Sequence, residues 1–367
     1  MLEKIATKVI WKYLKKGNMS RCLRDILPST NLTREQRESV ADIVHDVVRW
    51  KRLYDLILDE EGSERTAENY VRLAVNGAQK NAHLYPFEYQ CSCSDYVANL
   101  LKDQMAWAKY LNDKPPTTLC VNFNTSSTKE VVNALKKENL LAKLSKIETA
   151  VLTGSNARYS SVIKNRYAHV QDESSQLISC LTLSLGDSIL DFCAGNGGKS
   201  LSMASMAHNK KRIHAYEINE KKRAVIKQRC TEYNAKTVVE EQQPTSMFDV
   251  VLVDAPCSGI GAARRNPDAK YVEGNNEFTK LQLKILKDAA KNVNSKGFIL
   301  YSVCTITPEE TDEVIKQFTK KKEFKVYNFK EFEYSEFLKQ NKYGAFTAVP
   351  DGDLFFVSLL KKEKKNF

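Results

Sequence analysis

The sequence predicts an α/β chain: a doubly wound domain with a mostly parallel sheet, preceded by a helical region and a small α+β unit. Three observations carry that reading. From about residue 171, short β-rich runs at 188–192, 212–218, 237–239, 248–254 and 298–303 alternate with helical segments. Two of them, Val250-Val-Leu-Val253 and Phe298-Ile-Leu-Tyr301, are apolar throughout, as strands are when helices cover both faces of a parallel sheet. A glycine-containing turn follows the first run, and doubly wound sheets bind ligands beyond the carboxyl ends of their strands.

The upstream elements follow from capping and periodicity. Thr33-Arg-Glu-Gln36 is a capping box, and Val40, Ile43, Val44, Val47, Val48 and Leu56 then keep helical spacing on one face. Arg49, Lys51 and Arg52 surround Trp50, which reads either as an RNA contact or as a solvated helix end beside a core tryptophan. Pro115-Pro116 marks a break, and 117–123 reads as a strand. Ser127-Thr-Lys-Glu130 is a second capping box, opening a helix through Val131, Val132 and Leu135, with a further strand at 150–152. Phe355-Phe-Val-Ser-Leu-Leu360 reads as a late antiparallel strand at the sheet edge. The expected boundaries are 1–110 helical, 111–170 α+β, 171–362 doubly wound, and 363–367 a basic tail.

Composition narrows the function. With 367 residues, 42% of them hydrophobic, the chain has material for a sizeable core. Only 14 glycines and 9 prolines exclude a collagen-like or linker-dominated chain. No apolar run is long enough for a bilayer and no secretory leader is legible, so a cytoplasmic protein without a membrane partner is expected. Fifty-six basic against 45 acidic residues give a net charge of +11, which favours a polyanionic partner. Nine cysteines without a leader imply free thiols in a reducing compartment. The close pair Cys91-Ser-Cys93 lacks a second Cys/His pair at zinc spacing, so no structural metal is expected.

Three motifs carry chemistry. In Asp191-Phe-Cys-Ala-Gly-Asn-Gly-Gly-Lys-Ser200, glycines let backbone amides approach a ligand at a helix N-terminus. A phosphate-binding P-loop would need glycine where Cys193 stands, and a dinucleotide turn would need it where Ser200 stands. An S-adenosylmethionine turn is looser, and Glu217, about 20 residues beyond Gly195, is placed to hold ribose hydroxyls. A plain tight turn remains the alternative. Asp254-Ala-Pro-Cys-Ser-Gly259 brings a carboxylate and the Cys257 thiol to a strand end. Tyr301-Ser-Val-Cys304 brings a second thiol, and Thr307-Pro-Glu-Glu310 reads as a capping box whose helix dipole would favour the Cys304 thiolate. Two thiols and an aspartate suit chemistry at the 5-carbon of cytosine, which becomes nucleophilic only after a thiolate adds to the 6-carbon. The motifs alone do not decide which cysteine attacks.

At this point the sequence resembles the Sun/Fmu-type RNA (cytosine-5) methyltransferases. The matches are Val170-Gln-Asp-Glu-Ser-Ser-Gln176, the Cys193–Lys199 loop, Asp254–Gly259, Arg264-Arg-Asn-Pro-Asp268, Tyr301–Glu310 and Asp351-Gly352. The helices before them are similar to the NusB-like RNA-binding region of bacterial members. The resemblance implies a Rossmann-like class I S-adenosylmethionine-dependent methyltransferase domain. It implies nucleophilic attack by Cys304, product release assisted by Cys257, and Asp254 facing both base and cofactor. It places the cofactor against Cys193, Ala194, Gly195, Asn196, Gly197, Gly198, Lys199, Glu217 and Asp254, with Lys199 helping to position the site. Departures are Gly195-Asn196 for the usual Ala-Pro, and Val303 and Thr305 for the usual Thr and Ser. The region of Glu240, Glu241, Gln242 and Gln243 lacks the usual aspartate near the adenine. The expected substrate is rRNA, with tRNA second, and a non-catalytic ribosome assembly factor of the same fold is the rival. Arg264 and Arg265 are candidate phosphate contacts.

Overall fold

Period-2 alternation within the apolar runs sets the main sheet. Ile189, Val250, Leu252, Leu300 and Val357 pack into one core layer, while Leu190, Val251, Val253, Ile299 and Phe356 pack into another. Successive residues of a strand point to opposite faces, so both faces are buried. The computed structural model describes residues 1–274 and 277–363; all but Glu363 of the expected basic tail, 363–367, lies outside them. The chain forms two compact units: Met1–Lys114 with 259–274, and Pro115–Ser258 with 277–363.

In the first unit, α1 (Leu2–Lys16), α2 (Met19–Ile26), α3 (Arg34–Arg49), α4 (Lys51–Glu60) and α5 (Ala67–Val75) enclose a core with Val9, Ile10, Val40, Val44 and Tyr70. The Thr33–Gln36 capping box forms as expected. The helix it opens stops at Arg49, because Trp50 leaves helical geometry (φ −111°, ψ 15°). Trp50 packs against the core, and the arginines of the basic cluster around it are held by protein partners. Arg49 is buried and donates to the Arg264 carbonyl at 2.7 Å; Arg52 donates to the Cys93 carbonyl and to Asp95, each at 2.6 Å. Segment 259–274 is anchored by Lys270, whose buried ammonium donates to the carbonyls of Arg49 (2.8 Å) and Cys91 (2.9 Å) and to Asn112. Burial depresses its pKa to about 7. Arg264 is also buried here, 4.1 Å over the Tyr110 ring, which removes its guanidinium from the surface a phosphate would reach.

The second unit begins with an antiparallel sheet of β1 (Thr117–Val121), β2 (Lys143–Leu144), β3 (Ala150–Thr153) and β4 (Ala168–Val170), in the order β2-β3-β1-β4. The Ser127–Glu130 capping box opens the helix Thr128–Lys137 against it. The main sheet comprises β5 (Ser188–Asp191), β6 (Arg212–Tyr216), β7 (Thr237–Glu240), β8 (Phe248–Asp254), β9 (Val293–Val303), β10 (Phe324–Tyr327), β11 (Leu338–Gln340), β12 (Ala345–Thr347) and β13 (Phe356–Lys362). Its order is β11-β12-β13-β9-β8-β5-β6-β7, with β10 added on β13. Strands β5 to β9 are parallel. The late strand β13 is antiparallel to β9, as expected, but it is interior: β10 and β12 both pair with it. From β5 the chain winds outward through β6 and β7, then returns to the other side through β8 and β9. The order therefore reverses between β5 and β8, where a doubly wound sheet opens its ligand crevice.

Candidate active site

Register assembles the site at that reversal. Asp191 of β5 lies opposite Leu252 of β8, and Asp254 of β8 lies opposite Ser302 of β9. Cys257 and Cys304 follow these two strand ends, and their sulfurs are 3.4 Å apart. Both side chains are half-buried. The hydrogen bond with Cys257, burial and the Asp254 charge together raise the Cys304 pKa well above its ordinary value, so Cys304 is held as a thiol.

The expected helix N-terminus behind Cys304 is not there. The helix begins only at Asp312. Glu310 is turned inward instead of closing a capping box: its carboxylate accepts from the Ser258 amide (3.0 Å), Gln282 (2.9 Å) and the Thr307 hydroxyl (3.0 Å). The Ser258 and Thr305 hydroxyls bond at 2.7 Å. These contacts tie the Cys257 loop to the Cys304 loop. The sequence assigns Glu310 to a local cap, and no local pattern signals its longer reach.

Asp254 has both oxygens engaged, one by the Lys199 ammonium at 2.6 Å and one by the Ser302 hydroxyl at 2.7 Å. Burial opposes the Lys199 charge, but the Asp254 carboxylate outweighs it and raises the lysine pKa. Asp191, which the sequence quoted without assigning, lies beneath. Burial lifts its carboxyl to about 6; one oxygen accepts from Ser200 at 2.6 Å, and the other is buried with no hydrogen-bond partner among the described residues.

The loop after β5 is shaped by backbone. Gly197 has φ +80°, and a Cβ there would sit 3.1 Å from Ile226, so no other residue fits without strain. The Gly195 amide donates to Glu217 at 2.9 Å, and the other Glu217 oxygen accepts from the Asn219 amide at 2.9 Å. The Ala194 amide donates to the Tyr216 carbonyl, fastening the loop to the end of β6. The Asn196 carbonyl accepts from Arg229 at 2.7 Å. Gly198 and Lys199 open the helix Gly198–Met206. The Cys193 thiol is half-buried in the apolar layer, and burial pushes its pKa up, which makes it an inert wall.

The Val170–Gln176 motif packs against the turn at Gly352 and Asp353. Asp172 caps the helix Glu173–Leu183 and accepts from the Asp353 amide at 3.1 Å. Gly352 leaves no room for a side chain against the Ser174 hydroxyl, which explains the Asp351-Gly352 pair.

The chain is similar to known proteins in sequence and in fold. The chain is 33% identical over 220 residues to "Probable ribosomal RNA small subunit methyltransferase B" of Bacillus subtilis (strain 168), covering 56% of this chain and 49% of that protein. It is 31% identical over 225 residues to "Ribosomal RNA small subunit methyltransferase B" of Proteus mirabilis (strain HI4320), covering 56% and 52%. The chain thus spans about half the length of the curated relatives it matches. Among solved structures, PH0851 shares the fold over 99% of each chain (TM-score 0.79, 19% identity). NSun6 from Pyrococcus horikoshii, solved with SFG, shares it over 74% of this chain and 97% of its own (TM-score 0.62, 16% identity). The fold is therefore that of a Rossmann-like methyltransferase. Residues 178–361, half of the chain and the part that carries both thiols, match the profile of the 16S rRNA methyltransferase RsmB/F family, and the protein belongs to that family.

Proposed function

We propose that the protein is an S-adenosylmethionine-dependent RNA cytosine-C5 methyltransferase acting on rRNA in the cytoplasm. The observation that carries this reading is the pair of thiols, 3.4 Å apart, beside the Lys199–Asp254–Ser302 array. A fold used only to bind RNA has no need of that arrangement. The relatives' names supply the choice of rRNA.

The residues at the β5–β6 edge fit the cofactor. Each Glu217 oxygen has one backbone donor, leaving lone pairs for ribose hydroxyls, and the glycine turn lets the cofactor approach main chain. The Cys193–Lys199 loop, Glu217 and Asp254 are the residues that would hold it. When bound, the cofactor supplies an electrophilic methyl group.

The chain's own groups do the rest. Cys304 loses its proton and adds to the 6-carbon of a cytosine splayed from its stack. Asp254, fixed by Lys199 and Ser302, takes the Cys304 proton and delivers it to N3, so that no negative charge builds up on the ring. The 5-carbon is then nucleophilic and accepts the methyl group. Transfer of the C5 proton to water lets the C5–H electron pair form the C5–C6 double bond as the bond between the 6-carbon and Cys304 breaks, with Cys257 beside Cys304 to assist release. The helical first unit and the α+β region, 111–170, hold the RNA.

The test uses S-adenosylmethionine labelled in its methyl group, unmodified rRNA and tRNA, and digestion to nucleosides. Label in 5-methylcytidine from rRNA is the expected result. Label in tRNA alone would move the substrate class, and no label with cofactor still bound would favour an assembly factor.

A further inference from the structure

A second basic-aromatic cluster, besides the one around Trp50, occurs on α1. Lys4, Lys8, Trp11 and Lys15 recur at helical spacing and are all exposed, opposite the buried Ala6, Val9 and Ile10. Trp11 is 56% exposed, a large indole with no core to fill. The Lys15 ammonium lies 3.4 Å from the centre of its ring. Beside this stripe, Lys12, Lys16 and Arg21 line a pocket of about 360 Å³ at the turn from α1 into α2. One acidic side chain, Asp25, lines it too and pairs with Lys12 at 2.6 Å.

We propose that this face of α1, with the adjoining pocket, is a docking surface for unpaired RNA. A base stacks on Trp11, and phosphates of the same strand meet Lys4, Lys8, Lys15 and the cations of the pocket. The commitment to an unpaired strand follows from the mixture of groups. Duplex RNA hides its bases and asks only for cations along its backbone. An exposed tryptophan among lysines suits a strand that offers a ring face and a phosphate at alternate points. The ring already carries a cation, which a phosphate can draw off as the base arrives. The sequence reading passed over α1 because its lysines look like solubility charge until Trp11 is seen on their side of the helix. The identity of the polyanion as RNA rests on the proposed methyltransferase reading.

The full chain is titrated into fluorescein-labelled RNA of about 20 nucleotides, single-stranded and duplex, at several salt concentrations. All three tryptophans lie in the first unit, so intrinsic fluorescence is recorded as a second signal. Trp11→Ala should weaken single-strand binding about 10-fold, leave duplex binding nearly unchanged and remove the fluorescence quench. The triple variant Lys4→Ala, Lys8→Ala, Lys15→Ala should lower the salt-dependence slope by about two. Alanine keeps the helix, and circular dichroism with cofactor binding checks the fold. Variants that bind single strands like the wild type would overturn the docking surface and leave the methyltransferase reading standing. Equal losses on duplex for Trp11→Ala would overturn the stacking role. A wild type that ignores RNA and binds anionic vesicles would overturn both readings.

Discussion

Two pairs of cysteines in this chain make a controlled comparison. Cys91 and Cys93 are neighbours in sequence and buried in the first unit. Their backbone carbonyls hold Lys270 and Arg52, so the pair is part of the packing. Cys257 and Cys304 are far apart in sequence, half-buried, and joined only because β8 and β9 are adjacent parallel strands. Each pair has a lysine nearby, and the two lysines respond in opposite ways. Lys270 meets only neutral acceptors, so burial depresses its pKa to about 7. Lys199 meets the Asp254 carboxylate, which outweighs burial and keeps it charged. A carboxylate partner separates a charge held ready for chemistry from a donor that merely fastens a fold.

The largest effect should separate the two pairs. Cys304→Ala should lower methyl transfer by about 10³-fold or more, with cofactor binding retained. Cys91→Ala or Cys93→Ala should leave turnover within about twofold and cost about 1–2 kcal/mol of stability. Turnover on labelled rRNA and urea unfolding measure both. An inactive Cys93→Ala that is still folded would break the comparison.

The lysines come next. Lys199→Met leaves Asp254 without its cation, and transfer should fall about 10²-fold. Lys270→Met takes a buried donor away from three acceptors and should destabilise the first unit by about 3 kcal/mol, followed by tryptophan fluorescence. The Lys270 effect has a pH signature. Between pH 7 and 10 the folded lysine is neutral while the unfolded lysine keeps its proton. The unfolded state then binds more protons, so wild-type stability should rise relative to Lys270→Met, by up to about 1.4 kcal/mol per pH unit. A difference that is flat across that window would remove the assigned pKa.

The smallest effect concerns the brace between the thiol loops. Glu310→Ala should lower kcat about tenfold with little change in cofactor affinity, and Glu310→Gln should restore most of it. Equal losses in both variants would point to folding rather than positioning.

The legible and illegible parts divide along the same line. Strands β8 and β9 were readable because doubly buried strands need continuous apolar runs. Both N-terminal capping boxes were readable because their bonds span three residues. The helix at Asp312 was misplaced because Glu310 satisfies distant donors in place of a local amide. The interior position of β13 depends on pairing with β10 and β12, which no local pattern encodes. The return of 259–274 to the helical unit rests on Lys270, a single residue whose partners lie far away in sequence. Among site residues, the motifs named the thiols, Asp254 and the glycine loop. Asp191, Ser302 and Glu310 emerged only with the strand register.

The central claim is that Cys304 attacks and Cys257 releases. Cys257→Ala is incubated with unmodified rRNA and S-adenosylmethionine, run on a denaturing gel, and digested to locate any nucleotide attached to protein. A protein–RNA band with the nucleotide on Cys304, absent from Cys304→Ala, is the expected result. A covalent band in Cys304→Ala with the nucleotide on Cys257 would contradict it.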